Sequence, residues 1–123
     1  MKLTIQIITG SRTGERIELA KFPATIGRNA GCDVVFASPL DKGVSNYHAT
    51  VVIEGSAFIL RDMNSTNGTY VDGQQVRRFI LTDGLVVRLA KDGPEFRVLL
   101  DDEARNAAKK AVLRESGRMP NQK

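Results

Sequence analysis

The sequence predicts an all-β sandwich of two twisted, mostly antiparallel sheets, closed by a short C-terminal helix. Three observations predict it. Short segments alternate apolar and polar residues, glycine-centred turns recur between them, and no helical period is visible before Asp101. Many short strands at a spacing of roughly 8–12 residues argue for two packed sheets. With 123 residues the chain can bury one core but not two.

Leu3, Ile5 and Ile7 alternate with Thr4, Gln6 and Ile8, which is the period of a strand with one buried face. Gly10 to Gly14 turns the chain into Arg16-Ile17-Glu18-Leu19, and Ala24-Thr25-Ile26-Gly27 and Asp33-Val34-Val35-Phe36 follow. Ala49 to Glu54 and Ala57 to Arg61 flank Gly55-Ser56, a two-residue loop of hairpin type. Three Asp-Gly pairs, at Asp72-Gly73, Asp83-Gly84 and Asp92-Gly93, are each expected to adopt positive φ. They separate Gly68 to Val71, Arg78 to Leu81, Leu85 to Leu89 and Phe96 to Leu100. Residues 1–100 are thus expected to form the sandwich.

After Leu100 the composition shifts. Residues 101–115 read as a helix, with acidic residues leading and basic ones following, as the helix dipole favours. Its apolar stripe (Ala104, Ala107, Ala108, Ala111, Val112) is mostly alanine and buries little area, so the helix either docks lightly or frays. Ser116 to Lys123 reads as a disordered tail.

Composition narrows the function classes. No apolar run reaches membrane-spanning length, the N-terminus lacks a signal-peptide pattern, and the single Cys32 allows no internal disulfide. A cytoplasmic protein without membrane contact is expected. The net charge of +4 is spread evenly: residues 1–100 hold 12 Lys/Arg against 10 Asp/Glu, and residues 101–123 hold 6 against 4. That balance, with no aromatic-basic stripe, argues against nucleic acid as a partner. No zinc-ligand spacing, Walker-type loop or pair of catalytic carboxylates is present, so no metal, no cofactor and no enzymatic activity are expected. Ser45 and His48 lie three apart in what reads as an extended segment, which separates their side chains and gives no relay.

Three polar clusters interrupt the strands: Gly27-Arg28, Ser45-Asn46-Tyr47-His48, and Asn64-Ser65-Thr66-Asn67-Gly68-Thr69. Taken singly, each has a plain reading. Arg28 is a surface arginine paired with Asp33 or another acid, Ser45 caps a turn, and Asn64 to Thr69 is a hairpin connection. The two Asn-x-Thr sequons, at Asn64 and Asn67, read as coincidence.

The order and spacing of the three clusters resemble the forkhead-associated (FHA) domain family, whose signature is Gly-Arg, then Ser-x-x-His, then Asn-x-x-Asn-Gly-Thr. The resemblance extends over about Leu3 to Leu100 and includes Cys32-Asp33-Val34. It implies an eleven-stranded sandwich that binds phosphothreonine peptides through loops at one end. By that resemblance Arg28, Ser45 and Thr66 hold the phosphate, while Asn46 and Asn67 hold the peptide backbone. Gly27, His48 and Gly68 then brace the loops. The residue types suit this chemistry: a phosphate dianion takes a bidentate arginine fork and hydroxyl donors, with loop amides completing the cradle, and an amide side chain both donates and accepts.

The chain departs from the family at Asn46, where many members have arginine. It departs again in the long stretch Ala37 to Gly43, and at Gly43, where some members carry a charged residue that selects the peptide. Lys42, Arg77 or Arg78 are the expected substitutes, favouring an acidic peptide. The expected function is an adaptor in Ser/Thr-kinase signalling, its partner a kinase or kinase substrate phosphorylated on threonine; the sequence leaves the oligomeric state open, with a monomer as the default. The alternative is a phosphate-independent scaffold module of the same fold.

Overall fold

The structure, a computed structural model, describes residues 1–117. Eleven strands form two sheets among these residues: β1 (Leu3–Ile7), β2 (Arg16–Leu19), β3 (Ala24–Gly27), β4 (Val34–Val35), β5 (Ala49–Glu54), β6 (Ala57–Asp62), β7 (Thr69–Val71), β8 (Gln74–Val76), β9 (Arg78–Ile80), β10 (Val86–Leu89) and β11 (Glu95–Leu100). One sheet has the order β2-β1-β11-β10-β7-β8 and the other β4-β3-β5-β6-β9. Among the described residues the one parallel ladder is the short β3–β4 contact, Ile26 opposite Val34 and Gly27 opposite Val35.

Alternation sets the register. Leu3, Ile5 and Ile7 of β1 lie opposite Leu100, Val98 and Phe96 of β11, and all six side chains are buried. A one-residue slip would turn this whole row to solvent, so the pairing is strongly specified. The facing sheet contributes Ala24, Ile26, Ala49, Val51 and Phe58 to the same core.

Strand β6 differs, because Ala57, Phe58, Ile59 and Leu60 are buried consecutively, on both faces of the sheet. Helix α1 (Asp102–Gly117) packs over β6 and β9 and buries Ala104, Ala108 and Ala111. The small alanine face lets the helix lie close. Asp101 caps it, its carboxylate accepting the Ala104 N–H at 3.0 Å. Arg78 of β9 joins the helix to the sheet, reaching Glu115 at 2.8 Å and Glu54 at 3.1 Å. Ser116, expected in the tail, belongs to the last turn of the helix. The remainder of that expected tail, 118–123, lies outside the described residues.

Two local expectations need correction. Asp72-Gly73 does take positive φ (52° and 77°), but it closes a two-residue hairpin onto β8, a strand whose polar Gln74-Gln75 shows no apolar alternation. Asp83-Gly84 has its positive φ on the glycine (85°), whereas in the third pair region it falls on Ala90 (71°) and not on Asp92-Gly93. Among the described residues no helix is long and apolar enough to cross a membrane. No group of three His, Cys, Asp or Glu there could hold a metal ion.

Candidate functional site

The three polar clusters meet at one end of the sandwich, joined by hydrogen bonds between loops. Arg28 follows β3, and its N–H donates to the Ser45 carbonyl at 3.0 Å, while the Asn29 N–H donates to the Asn46 carbonyl at 3.1 Å. Gly27 allows this approach: a Cβ there would stand 2.2 Å from the Asn46 carbonyl oxygen, so no side chain fits. From the β6–β7 loop, the Thr66 N–H donates to Ser45 Oγ at 3.0 Å and Asn67 Nδ2 donates to the Gly43 carbonyl at 3.0 Å.

His48 is the hub. Its side chain is fully buried, Nδ1 lies 3.0 Å from the Ser45 amide, and Nε2 lies 2.8 Å from the Gly68 carbonyl. An amide N–H can only donate, so Nδ1 carries the lone pair and the proton sits on Nε2, which donates to Gly68. Burial disfavours the imidazolium and holds the His48 pKa below its usual range, although the Gly68 carbonyl and Asp62 pull it upward. Gly68 has φ +86°, a conformation that suits glycine, and its carbonyl also accepts the Ala90 N–H at 2.8 Å.

The segment from Ser45 to His48 is a turn, not the extended run expected. The two side chains still form no relay, for a different reason: His48 Nδ1 is occupied by the Ser45 backbone and Ser45 Oγ by the Thr66 amide.

The plain readings of the clusters fare differently. Asp33 does not pair with Arg28; its carboxylate accepts from the Thr25 N–H at 2.8 Å and the Thr25 hydroxyl at 3.2 Å. The half-buried Arg28 guanidinium has no hydrogen-bond or ion-pair partner among the described residues. Ser45 does tie a loop through its hydroxyl, yet as an acceptor, so its O–H proton remains free to donate. Asn64 to Gly68 is not a hairpin connection, because β6 and β7 lie in different sheets. The Asn46 side chain is exposed, as are Thr66 and Asn67.

The amides expected to complete a phosphate cradle are largely committed. Those of Arg28, Asn29, Ser65, Thr66 and Gly68 all donate within the protein. The donors left at this end are therefore mainly side chains: the Arg28 fork and the hydroxyls of Ser45 and Thr66. Arg78 is not a peptide selector, since it is engaged with Glu54 and Glu115 beside the helix. Arg77 lies at the foot of the β6–β7 loop, its carbonyl accepting the Asp62 N–H at 2.9 Å.

Sequence reasoning missed two braces. Asp62 accepts the Ser65 N–H and hydroxyl (3.0 and 2.5 Å) and the Thr69 hydroxyl (2.7 Å), folding the β6–β7 loop onto its own strands. Burial raises the cost of its charge, but these hydrogen bonds outweigh it and hold the carboxyl below its usual range. Asp62-Met63-Asn64-Ser65 is an Asp-x-x-Ser pattern, a local signal that was there to be read. The second brace is Asp41, fully buried in the β4–β5 loop, which accepts the Ser11 N–H at 3.0 Å and the Ser11 hydroxyl at 2.5 Å. Its partner lies 30 residues away, beyond any local pattern.

Asp41→Ala is expected to cost about 1.5–3 kcal/mol, the worth of hydrogen bonds to a charged group. Asp41→Asn, which keeps an acceptor toward the Ser11 amide, should recover part of it. Urea unfolding of both variants checks this; equal midpoints for Asp41→Ala and the parent would refute it.

Comparison with known proteins agrees with this arrangement. The family model for the FHA domain matches residues 24–90, which spans all three clusters. The FHA domain-containing protein FhaA of Mycobacterium tuberculosis is 40% identical over 87 residues, covering 71% of this chain and 16% of that protein. FhaB of the same organism is 35% identical over 92 residues, covering 74% of this chain and 57% of that one. The chain therefore spans less than two thirds of the length of either relative. A solved structure from an analysis of phosphothreonine-dependent FHA domain interactions superposes with a TM-score of 0.70 at 33% identity, covering 82% of this chain and 98% of that one. With the sandwich, the three clusters and these matches in agreement, the chain belongs to the FHA domain family.

Proposed function

We infer that this chain binds partner proteins phosphorylated on threonine and serves as an adaptor in Ser/Thr-kinase signalling, as a binding module and not an enzyme. The observation that carries this reading is the Arg28 guanidinium: half-buried, without a partner among the described residues, and tied through its backbone to Ser45. A phosphate carries a charge of about −1.5 to −2 at pH 7 and three acceptor oxygens. Arg28 supplies a permanent charge and a planar fork, and Ser45 and Thr66 supply hydroxyl protons. Asn46 and Asn67, both exposed, hold the peptide backbone in this reading. Gly27, His48 and Gly68 hold the loops and do not touch the ligand. The relative solved in a study of phosphothreonine-dependent interactions supports the choice of phosphothreonine. The unpaired Cys32 fits a cytoplasmic setting.

The test is calorimetry with one peptide in three forms: phosphothreonine, phosphoserine and unphosphorylated threonine. Binding by the phosphothreonine form, lost on removing the phosphate, is expected. Equal binding of the unphosphorylated peptide would replace this reading with the phosphate-independent scaffold.

A further inference from the structure

The three clusters leave out the β1–β2 turn of residues 8–15, which is bound to two loops at the same end of the sandwich. Toward the β10–β11 turn, the Ile8 N–H donates to the Glu95 carbonyl at 2.9 Å, and the Glu95 N–H donates to the Thr9 hydroxyl at 2.9 Å. Toward the β4–β5 loop, Arg12 Nη1 donates to the Val35 carbonyl at 2.8 Å, and Ser11 holds Asp41 through its N–H and its hydroxyl. Gly10 permits the close approach. A Cβ there would stand 2.6 Å from Asp41 Oδ1 and 2.8 Å from Pro94 Cβ, and its φ of +102° suits glycine.

Asp41 is fully buried, and no cation pairs with it among the described residues, so its place depends on the two bonds from Ser11. Two residues on, Gly43 takes φ +86°, and its carbonyl accepts Asn67 Nδ2 at 3.0 Å. Two residues of chain span at most about 7 Å, so a shift at Asp41 is passed to the Gly43 carbonyl. Beyond Gly43 the chain is held independently: Val44 is buried, and His48 Nδ1 accepts the Ser45 amide. The path from Asp41 therefore ends at Asn67 and stops short of Ser45 and the Arg28 fork.

We propose that Asp41, clamped by Ser11, is a positioning residue of the phosphopeptide site: it acts through the Gly43 carbonyl on the Asn67 side chain, and so on the hold on the peptide backbone. The inference rests on the phosphothreonine reading above and brings into the site a turn outside its three clusters. Asn67 gives one amide hydrogen to Gly43, which fixes the side chain and leaves its oxygen and second amide hydrogen for a peptide. Without the clamp that side chain must be ordered at the moment of binding, and affinity falls.

The test compares a phosphothreonine peptide that binds the parent with free phosphothreonine, which carries the phosphate but no neighbouring peptide groups. Calorimetry reads the peptide, NMR titration reads the amino acid, and a thermal melt shows each variant folded at the titration temperature. In Asp41→Ala, peptide affinity is expected to fall about 3- to 10-fold, the worth of one hydrogen bond between neutral groups, with free phosphothreonine affected less than about twofold. Asp41→Asn should regain part of the loss. Ser11→Asp keeps Asp41 and sets a second carboxylate against it, so peptide affinity should fall here as well. Adding Asp41→Asn to Ser11→Asp removes the repulsion and should restore affinity. Because Ser11 lies in an exposed turn, Ser11→Asp decides the matter where Asp41→Ala does not fold. Parent-like peptide affinity in folded Asp41→Ala or Ser11→Asp overturns the proposal. Equal losses on peptide and free phosphothreonine overturn it too, since the phosphate pocket itself would then have loosened. Failure of every phosphothreonine peptide to bind the parent overturns the phosphothreonine reading and this inference together.

Discussion

Arg28→Ala is expected to reduce phosphothreonine-peptide affinity by roughly two orders of magnitude while leaving the fold intact. A bidentate guanidinium makes two hydrogen bonds to the phosphate, and bonds to charged groups contribute about 1.5–3 kcal/mol each. Thr66 is exposed and Arg28 and Ser45 are only half-buried, so the lower end applies, and about 3 kcal/mol is a little over a hundredfold in the dissociation constant. Stability should change by no more than about 0.5 kcal/mol, because the guanidinium bonds to nothing among the described residues. Arg28→Lys should restore only part of the affinity, since an ammonium keeps the charge and loses the fork. Calorimetry beside a thermal melt separates the two effects. A variant that binds like the parent would remove the phosphate pocket from this end of the molecule.

His48→Ala is expected to cost about 3–5 kcal/mol of stability and to weaken peptide binding with it. The substitution leaves a cavity where a fully buried ring stood and strips the Ser45 amide of its acceptor. The Ser45 turn is then free to leave the position in which its hydroxyl meets Thr66. His48→Phe fills the space without restoring the acceptor, so it should recover part of the stability but less of the binding. Denaturant unfolding and calorimetry on the pair make the distinction. Full binding by His48→Phe would show that packing alone places Ser45.

The same residue predicts a pH dependence. Burial lowers the His48 pKa in the folded state below its unfolded value of about 6.5. The folded state therefore binds fewer protons than the unfolded chain in that window. Its contribution to stability is complete above about pH 6.5 and is lost as pH falls toward the depressed folded value. Protonation of Nδ1 would also expel the Ser45 amide. Asp62, held below its usual range, adds a further loss at more acid pH. Unfolding midpoints measured downward from neutral pH should fall in the parent and fall less in His48→Phe across the histidine window. Parallel curves would exclude His48 as the group responsible.

Most of the sandwich was legible because its strands obey a local rule. Leu3-Ile5-Ile7 and Phe96-Val98-Leu100 alternate in sequence and bury the same alternate side chains. Strand β8 was not legible: Gln74-Gln75-Val76 is a polar edge, recognised as a strand by its pairing with β7 and not by its composition. The asymmetry of β6 was hidden for a related reason. Its continuous apolar run announces burial, but that the second cover is helix α1 depends on a contact between distant segments.

The site divides along the same line. Gly27-Arg28, Ser45 to His48 and Asn64 to Thr69 could be picked out because their order and spacing resemble the FHA signature. Which donors stay free could not, because that depends on which acceptors the fold brings near. Asp33 turns to Thr25 and leaves Arg28 unpaired, while the amides of Ser65, Thr66 and Gly68 are taken by Asp62, Ser45 and Ser65. Strand pattern is a property of neighbours along the chain and sufficed for the fold class, while the order and spacing of the three clusters sufficed for the family. The Asp41–Ser11 brace and the Asn67–Gly43 hydrogen bond are long-range pairings, and they, like the freedom of Arg28, are settled by how the two sheets place their loops at a common end.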